Sequence, residues 1–105
     1  MKLKISEQDF LNSVVELAHL MHWKVHHSRP AWTEKGYRTA IQGDAGFPDL
    51  ILVRPPRVII AELKSEKGKL TAEQEGWIKD LEGCEGVDVD TWYPDDWNAI
   101  KGILL

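Results

Sequence analysis

Two apolar, β-branched runs separated by a proline pair constrain the fold of this chain most. Asp49–Arg54 reads DLILVR and Arg57–Lys64 reads RVIIAELK, with Pro55 and Pro56 between them. Short runs of Ile, Val and Leu bounded by turn residues read as strands, and two so close together predict an antiparallel hairpin. Each proline holds φ near −65°, which disfavours a tight primed turn and predicts a four-residue connection, Arg54 to Arg57. Partners across that centre have numbers summing to 111, so Asp49 falls opposite Glu62. Lys64, two residues on, shares their face. A slip of one residue would put the two acids on opposite faces and leave an ordinary Lys–Glu surface pair. Spacing alone leaves both registers open.

In the first register, two like charges oppose each other across a ladder, which destabilises a sheet. Such a pair makes sense around a cation. Mg²⁺ takes oxygen ligands and commonly uses only one or two carboxylates, completing its shell with water and substrate phosphate. A neighbouring lysine suits the same site, because it can position a water or stabilise charge growing on a phosphate.

The rest of the chain supplies the frame. Ser6 to Met21 predicts an amphipathic helix, with Ser6 and Asp9 in a capping-box pattern and Phe10, Val14, Leu17 and Met21 at helical spacing. Residues 24–29 predict a short strand, and Pro30 to Pro48 a long loop without periodicity. Thr71 and Gln74 repeat the capping box ahead of a second helix with Trp77, Ile78 and Leu81 on its apolar face. Val87–Tyr93 predicts a strand, and Asp95 a cap for a last helix carrying Trp97, Ile100 and Leu104. This order predicts a small α/β domain with one central sheet, residues 1–105 forming a single unit.

At 105 residues, with Cys84 the only cysteine, the chain excludes a disulfide scaffold and a cysteine-based zinc cage. No apolar run approaches the ~18 residues of a membrane span. Glu7, Asp9 and Glu16 sit where a signal peptide would be apolar. An intracellular, cytoplasmic protein is expected.

The net charge of −4 hides a strong asymmetry. From Lys24 to Lys69 there are nine basic and five acidic residues, a net of +4, while the remainder carries a net of −8. The basic middle suits either DNA or plain solvation. Within it, Trp32 and Tyr37 interleave with Arg29, Lys35 and Arg38, a pattern that can follow a phosphate backbone. Lys67 and Lys69 complete the candidate DNA contacts. Trp23, Trp77, Trp92 and Trp97 read as core. His19, His22, His26 and His27 lack further ligands for zinc and read instead as surface or phosphate-contacting groups. Gly68-Lys69-Leu70-Thr71 lacks the upstream glycine and the Gly-Lys-Thr run of a phosphate loop.

Each of the first two helices would direct one polar side chain along its inward face: Glu7, ahead of Phe10 and Leu11, and Gln74, ahead of Trp77 and Ile78. Each also has an ordinary first-turn explanation, in the helix dipole or the capping box. Taken with Gly46-Phe47-Pro48-Asp49-Leu50 and Ala61-Glu62-Leu63-Lys64, they complete a P-D…E-x-K pattern that resembles the PD-(D/E)xK nuclease superfamily. Gly68-Lys69-Leu70-Thr71 with Gln74 and Trp77, and the closing Trp92-Tyr93-Pro94-Asp95-Asp96-Trp97, resemble its VRR-NUC branch, in particular the stand-alone phage and bacterial members. Thr71 stands where serine is common and keeps the hydroxyl.

The resemblance implies a restriction-endonuclease-like core, a mixed sheet flanked by helices. It implies an activity too, the Mg²⁺- or Mn²⁺-dependent hydrolysis of DNA phosphodiesters, with branched or flap DNA as substrate. By residue, it implies that Asp49 and Glu62 bind metal, with the Leu63 carbonyl and Glu7 as further contacts. Lys64 would be the catalytic lysine and Gln74 would orient water or phosphate. A homodimer inside a phage-infected or bacterial cell is expected, with a second protein to deliver the substrate. The alternative is a non-catalytic nucleic-acid- or protein-binding module on the same scaffold, its acidic stretch from Glu73 to Asp96 docking a basic partner.

Overall fold

A computed structural model describes residues 5–28, 31–34, 36–38 and 41–105. Helix α1 spans Glu7–Leu20, with the Ser6 hydroxyl accepting from the Asp9 N–H at 3.0 Å. Strands β1 (Lys24–His27), β4 (Leu50–Arg54), β5 (Arg57–Leu63) and β6 (Asp88–Trp92) form a four-stranded sheet in the order β1-β4-β5-β6. Its β1–β4 and β4–β5 pairs are antiparallel and its β5–β6 pair is parallel. The sheet is therefore mixed and carries flanking helices, the α/β, restriction-endonuclease-like architecture expected. Helix α2 (Ala72–Glu82) crosses between β5 and β6, and α3 (Trp97–Leu104) closes the chain after a 3-10 turn at Pro94–Asp96. No helix among the described residues is long and apolar enough to cross a membrane.

Burial follows the pleat. Leu50 and Leu52 of β4 and Ile59, Ala61 and Leu63 of β5 join Phe10, Val14 and Ala18 of α1 and Ile100 and Leu104 of α3 in the core. Strand β5 is buried continuously from Ile59 to Leu63, as a strand covered on both faces should be.

The structure corrects several local expectations. Arg54 and Arg57 pair directly, so the connection is Pro55 and Pro56 alone, with the bond between them cis. The span from Pro30 to Pro48 is not all loop, since β2 (Ala31–Thr33) pairs with β3 (Gly36–Arg38). Asp96, not Asp95, precedes α3, and its carboxylate accepts from the Tyr93 N–H at 2.9 Å. Helix α2 buries no residue. Its Trp77 is half-buried and donates its indole N–H to the Asp44 and Ala45 carbonyls at 3.2 and 3.0 Å. It fastens a loop rather than filling the core; Trp23 and Trp92 do lie in the core, and Trp97 packs against it.

At the turn of the hairpin, the two arginines cap α3. Arg54 donates to the carbonyls of Met21, Leu104 and Leu105 at 2.8, 3.2 and 3.2 Å, and Arg57 to that of Ile103 at 2.9 Å. Both guanidinium groups lie over the Trp23 ring, at 4.5 and 5.1 Å, while the Trp23 indole itself donates to Leu104. Orphan carbonyls at a helix C-terminus carry partial negative charge, and cations satisfy them. Two charges of the basic middle are thus engaged with the helix end rather than presented as free surface.

Candidate active site at the open end of the hairpin

The β4–β5 ladder pairs Leu50 with Ala61, Ile51 with Ile60 and Leu52 with Ile59, each pair summing to 111. The register places Asp49 and Glu62 on the next rung, at the end away from the prolines. Asp49 lies just outside β4, its carboxylate accepting from the Leu63 N–H at 2.8 Å. Glu62 is 2% exposed, the only buried charged residue among those described. Its Oε1 receives a long hydrogen bond from Gln74 Nε2, 3.4 Å, and has Lys64 Nζ at 3.9 Å. Its Oε2 is buried with no donor. Asp49 cannot supply one, because an ionised carboxylate only accepts.

The electrostatics follow. Burial pushes the Glu62 carboxyl up to about 8, and the hydrogen bond and negative charge of Asp49 push the same way, as does Glu7; Lys64 opposes them. Without a cation, the pair favours sharing a proton. A divalent ion would replace that proton, and the donor set fits one: two carboxylates with a buried, donorless oxygen, beside a strand end. Among the described residues, no three His, Cys, Asp or Glu side chains converge into a metal cage, so water and substrate would complete the shell.

Glu7, exposed on the first turn of α1, lines one cleft of about 330 Å³ together with Asp49, Leu63 and His27. Its charge is near enough to push the Glu62 carboxyl up. Gln74 serves two groups at once: its Oε1 accepts from the Thr71 N–H at 2.9 Å, completing the capping box, and its Nε2 reaches Glu62. The capping and site readings are both realised in one side chain. Lys64 is 11% exposed because the turn after β5 folds over its stem; a Cβ at Gly68 would lie 3.2 Å from Lys64 Cβ and Cδ.

A profile of the VRR-NUC domain matches residues 5–93. The chain belongs to the VRR-NUC family. It therefore carries a nuclease-type domain, and the match covers both helices and all the strands that frame the open end of the hairpin. No curated protein matches the chain.

Among the expected DNA contacts of this VRR-NUC chain, Lys67 and Lys69 are exposed on the segment leaving β5, three and five residues beyond Lys64. Arg29 and Lys35 lie outside the described residues, as does the side chain of Arg38, whose backbone belongs to β3. His27, expected only as a surface or phosphate-contacting group, and Phe47, given no role of its own, both lie beside Asp49. His27 lines the clefts on both sides of Asp49, and Phe47 lines one of them. For Phe47 the signal was its place two residues before Asp49.

Proposed function

We propose that this chain is a divalent-metal-dependent DNA endonuclease, with Mg²⁺ or Mn²⁺ held by Asp49 and Glu62, helped by the Leu63 carbonyl and with Glu7 on the approach. The observation that carries the reading is the buried Glu62 Oε2, left without a donor one position beyond the last rung of the ladder, beside Asp49. When bound, such an ion supplies Lewis-acid polarisation of the phosphodiester and a more acidic water.

The chain's own residues do the rest. Asp49 is oriented by the Leu63 N–H and Glu62 by the Gln74 amide, so the two carboxylates enter the reaction already positioned. The Lys64 ammonium, fixed at the rim by the Gly68 turn, hydrogen-bonds a water or a phosphate oxygen and stabilises the charge that grows there. Lys67 and Lys69, with Arg29, Lys35 and Arg38, hold the DNA backbone, an affinity that should fall steeply with salt. A homodimer would supply the two sites that paired cuts need.

The test is incubation with supercoiled plasmid and with labelled four-way, flap and linear DNA in Mg²⁺, Mn²⁺ or EDTA. Metal-dependent cutting that disappears in Lys64→Ala is expected. Binding without cutting of any substrate would favour the binding-module reading.

A further inference from the structure

Of the large hydrophobic side chains exposed among the described residues, Leu20, Ile41, Phe47 and Leu105, two line one cleft, and Asp49 stands in its wall. The cleft holds about 310 Å³, between the end of β1 at His27 and Ser28 and the segment leading into β4. Small-molecule sites run from roughly 300 to 1,000 Å³, so this one suits a single flat ring system. Its lining joins the apolar Ile41 and Phe47 with the polar His27 and Ser28, whose hydroxyl also lies 3.3 Å from His26 Nε2.

Phe47 is braced from behind. Its ring stands 5.0 Å from that of Trp77, at 86°, and Trp77 is itself tied to the Asp44 and Ala45 carbonyls. Gly46, at φ +101°, lets the loop press against α2, where a Cβ would come within 2.6 Å of the Glu73 carbonyl carbon. An aromatic ring that is 42% exposed yet fixed on its support has already lost the freedom that binding would otherwise remove.

We propose that this cleft is a nucleobase subsite. It receives one unpaired base next to the phosphodiester at Asp49, stacked on Phe47, with His27 and Ser28 meeting its polar edge. Every base has a face to stack, so the subsite selects for unpairing rather than for sequence. A base within a duplex reaches it only after leaving the stack. The inference rests on the nuclease reading for the phosphodiester at Asp49, and it names the substrate class: DNA with unpaired nucleotides at the cut.

The test compares two DNAs of equal length in EDTA, one fully paired and one with a short single-stranded gap, with 2-aminopurine placed in turn at each gap position. The wild type should bind the gapped DNA about tenfold more tightly and change the 2-aminopurine emission at one position. Phe47→Leu, which keeps apolar bulk against Trp77, should bring the affinity ratio close to one and remove the emission change. Phe47→Trp should retain both, and melting curves confirm that each variant folds. An unchanged ratio in Phe47→Leu, or no emission change at any position in the wild type, overturns the subsite. The nuclease reading fails separately: an emission change without metal-dependent cutting overturns catalysis and leaves the subsite standing.

Discussion

The two ends of the β4–β5 hairpin face the same electrostatic problem and treat it oppositely. At the turn, Arg54 and Arg57 stand directly across the ladder; at the open end, Asp49 and Glu62 come together one position beyond its last pair, Leu50 and Ala61. Like charges so placed destabilise a sheet. The fold answers the first pair with four backbone carbonyls, the Trp23 face and Asp88, 3.9 Å from Arg57. The second pair receives one backbone N–H, one long amide contact and a lysine, and one buried oxygen receives nothing. Like charges that are fully answered are structure. Like charges left short of partners, in a nuclease-type domain, are what the proposed cation would answer.

The largest contrast should appear in catalysis. Asp49→Ala, Glu62→Ala and Lys64→Ala should each lower metal-dependent cleavage about a thousandfold or more, because in the proposed function each removes a group that would meet the metal or the growing charge. Arg54→Ala should leave cleavage by the folded fraction intact. If Arg54→Ala abolished cutting at temperatures where the protein is folded, the division between the two ends would break.

Stability should show the reverse ranking. Arg54→Ala should cost about 2–3 kcal/mol in denaturant unfolding, since three α3 and α1 carbonyl contacts and the stacking on Trp23 are lost together. Arg57→Ala, with one carbonyl contact and an exposed ion pair, should cost about 1 kcal/mol.

Next in size is a pH effect. The folded Glu62 carboxyl sits at about 8 against an ordinary 4.5, so between those values the folded state holds more protons than the unfolded. Stability without metal should therefore fall as pH rises through that window, by a few kcal/mol in all. Glu62→Gln should flatten most of the slope and raise stability at pH 8 by about 2 kcal/mol. Asp90, raised by burial and by Asp88, Asp96 and Glu82, would keep a remainder. A wild-type melting temperature that climbs from pH 5 to pH 8 would contradict the assignment.

The smallest effect belongs to the loop that carries Phe47. Gly46→Ala should cost about 1–2 kcal/mol, because the position has φ +101° and its Cβ direction is filled by Glu73 backbone.

What could be read from the sequence was what a ladder makes arithmetic. The sum of 111 depends only on the strand period and the position of the turn, and it brought Asp49 and Glu62 together before any coordinates. The capping box at Thr71 and Gln74 was equally local. The arginine clamp left no such trace: it joins Arg54 to carbonyls 33 to 51 positions away, and no local pattern encodes contacts of that range. Charge counting therefore assigned Arg54 and Arg57 to a basic surface. Trp77 misled for a related reason. Its helical spacing is that of a core residue, yet α2 buries no residue and the indole N–H serves a loop some thirty residues earlier. The β2–β3 pair was missed because the sequence between Thr33 and Gly36 lacks the Asn-Gly or Asp-Gly signal of a tight hairpin.

Calorimetric titration of Mn²⁺ at pH 7, repeated in buffers of different ionisation enthalpy, tests the open end most directly. The wild type should bind the ion and release a proton as Glu62 yields its own; Arg54→Ala should do the same, and Asp49→Ala should lose both signals. Equal binding in wild type and Asp49→Ala, or no proton release in the wild type, would contradict the assignment of this pair as the metal site.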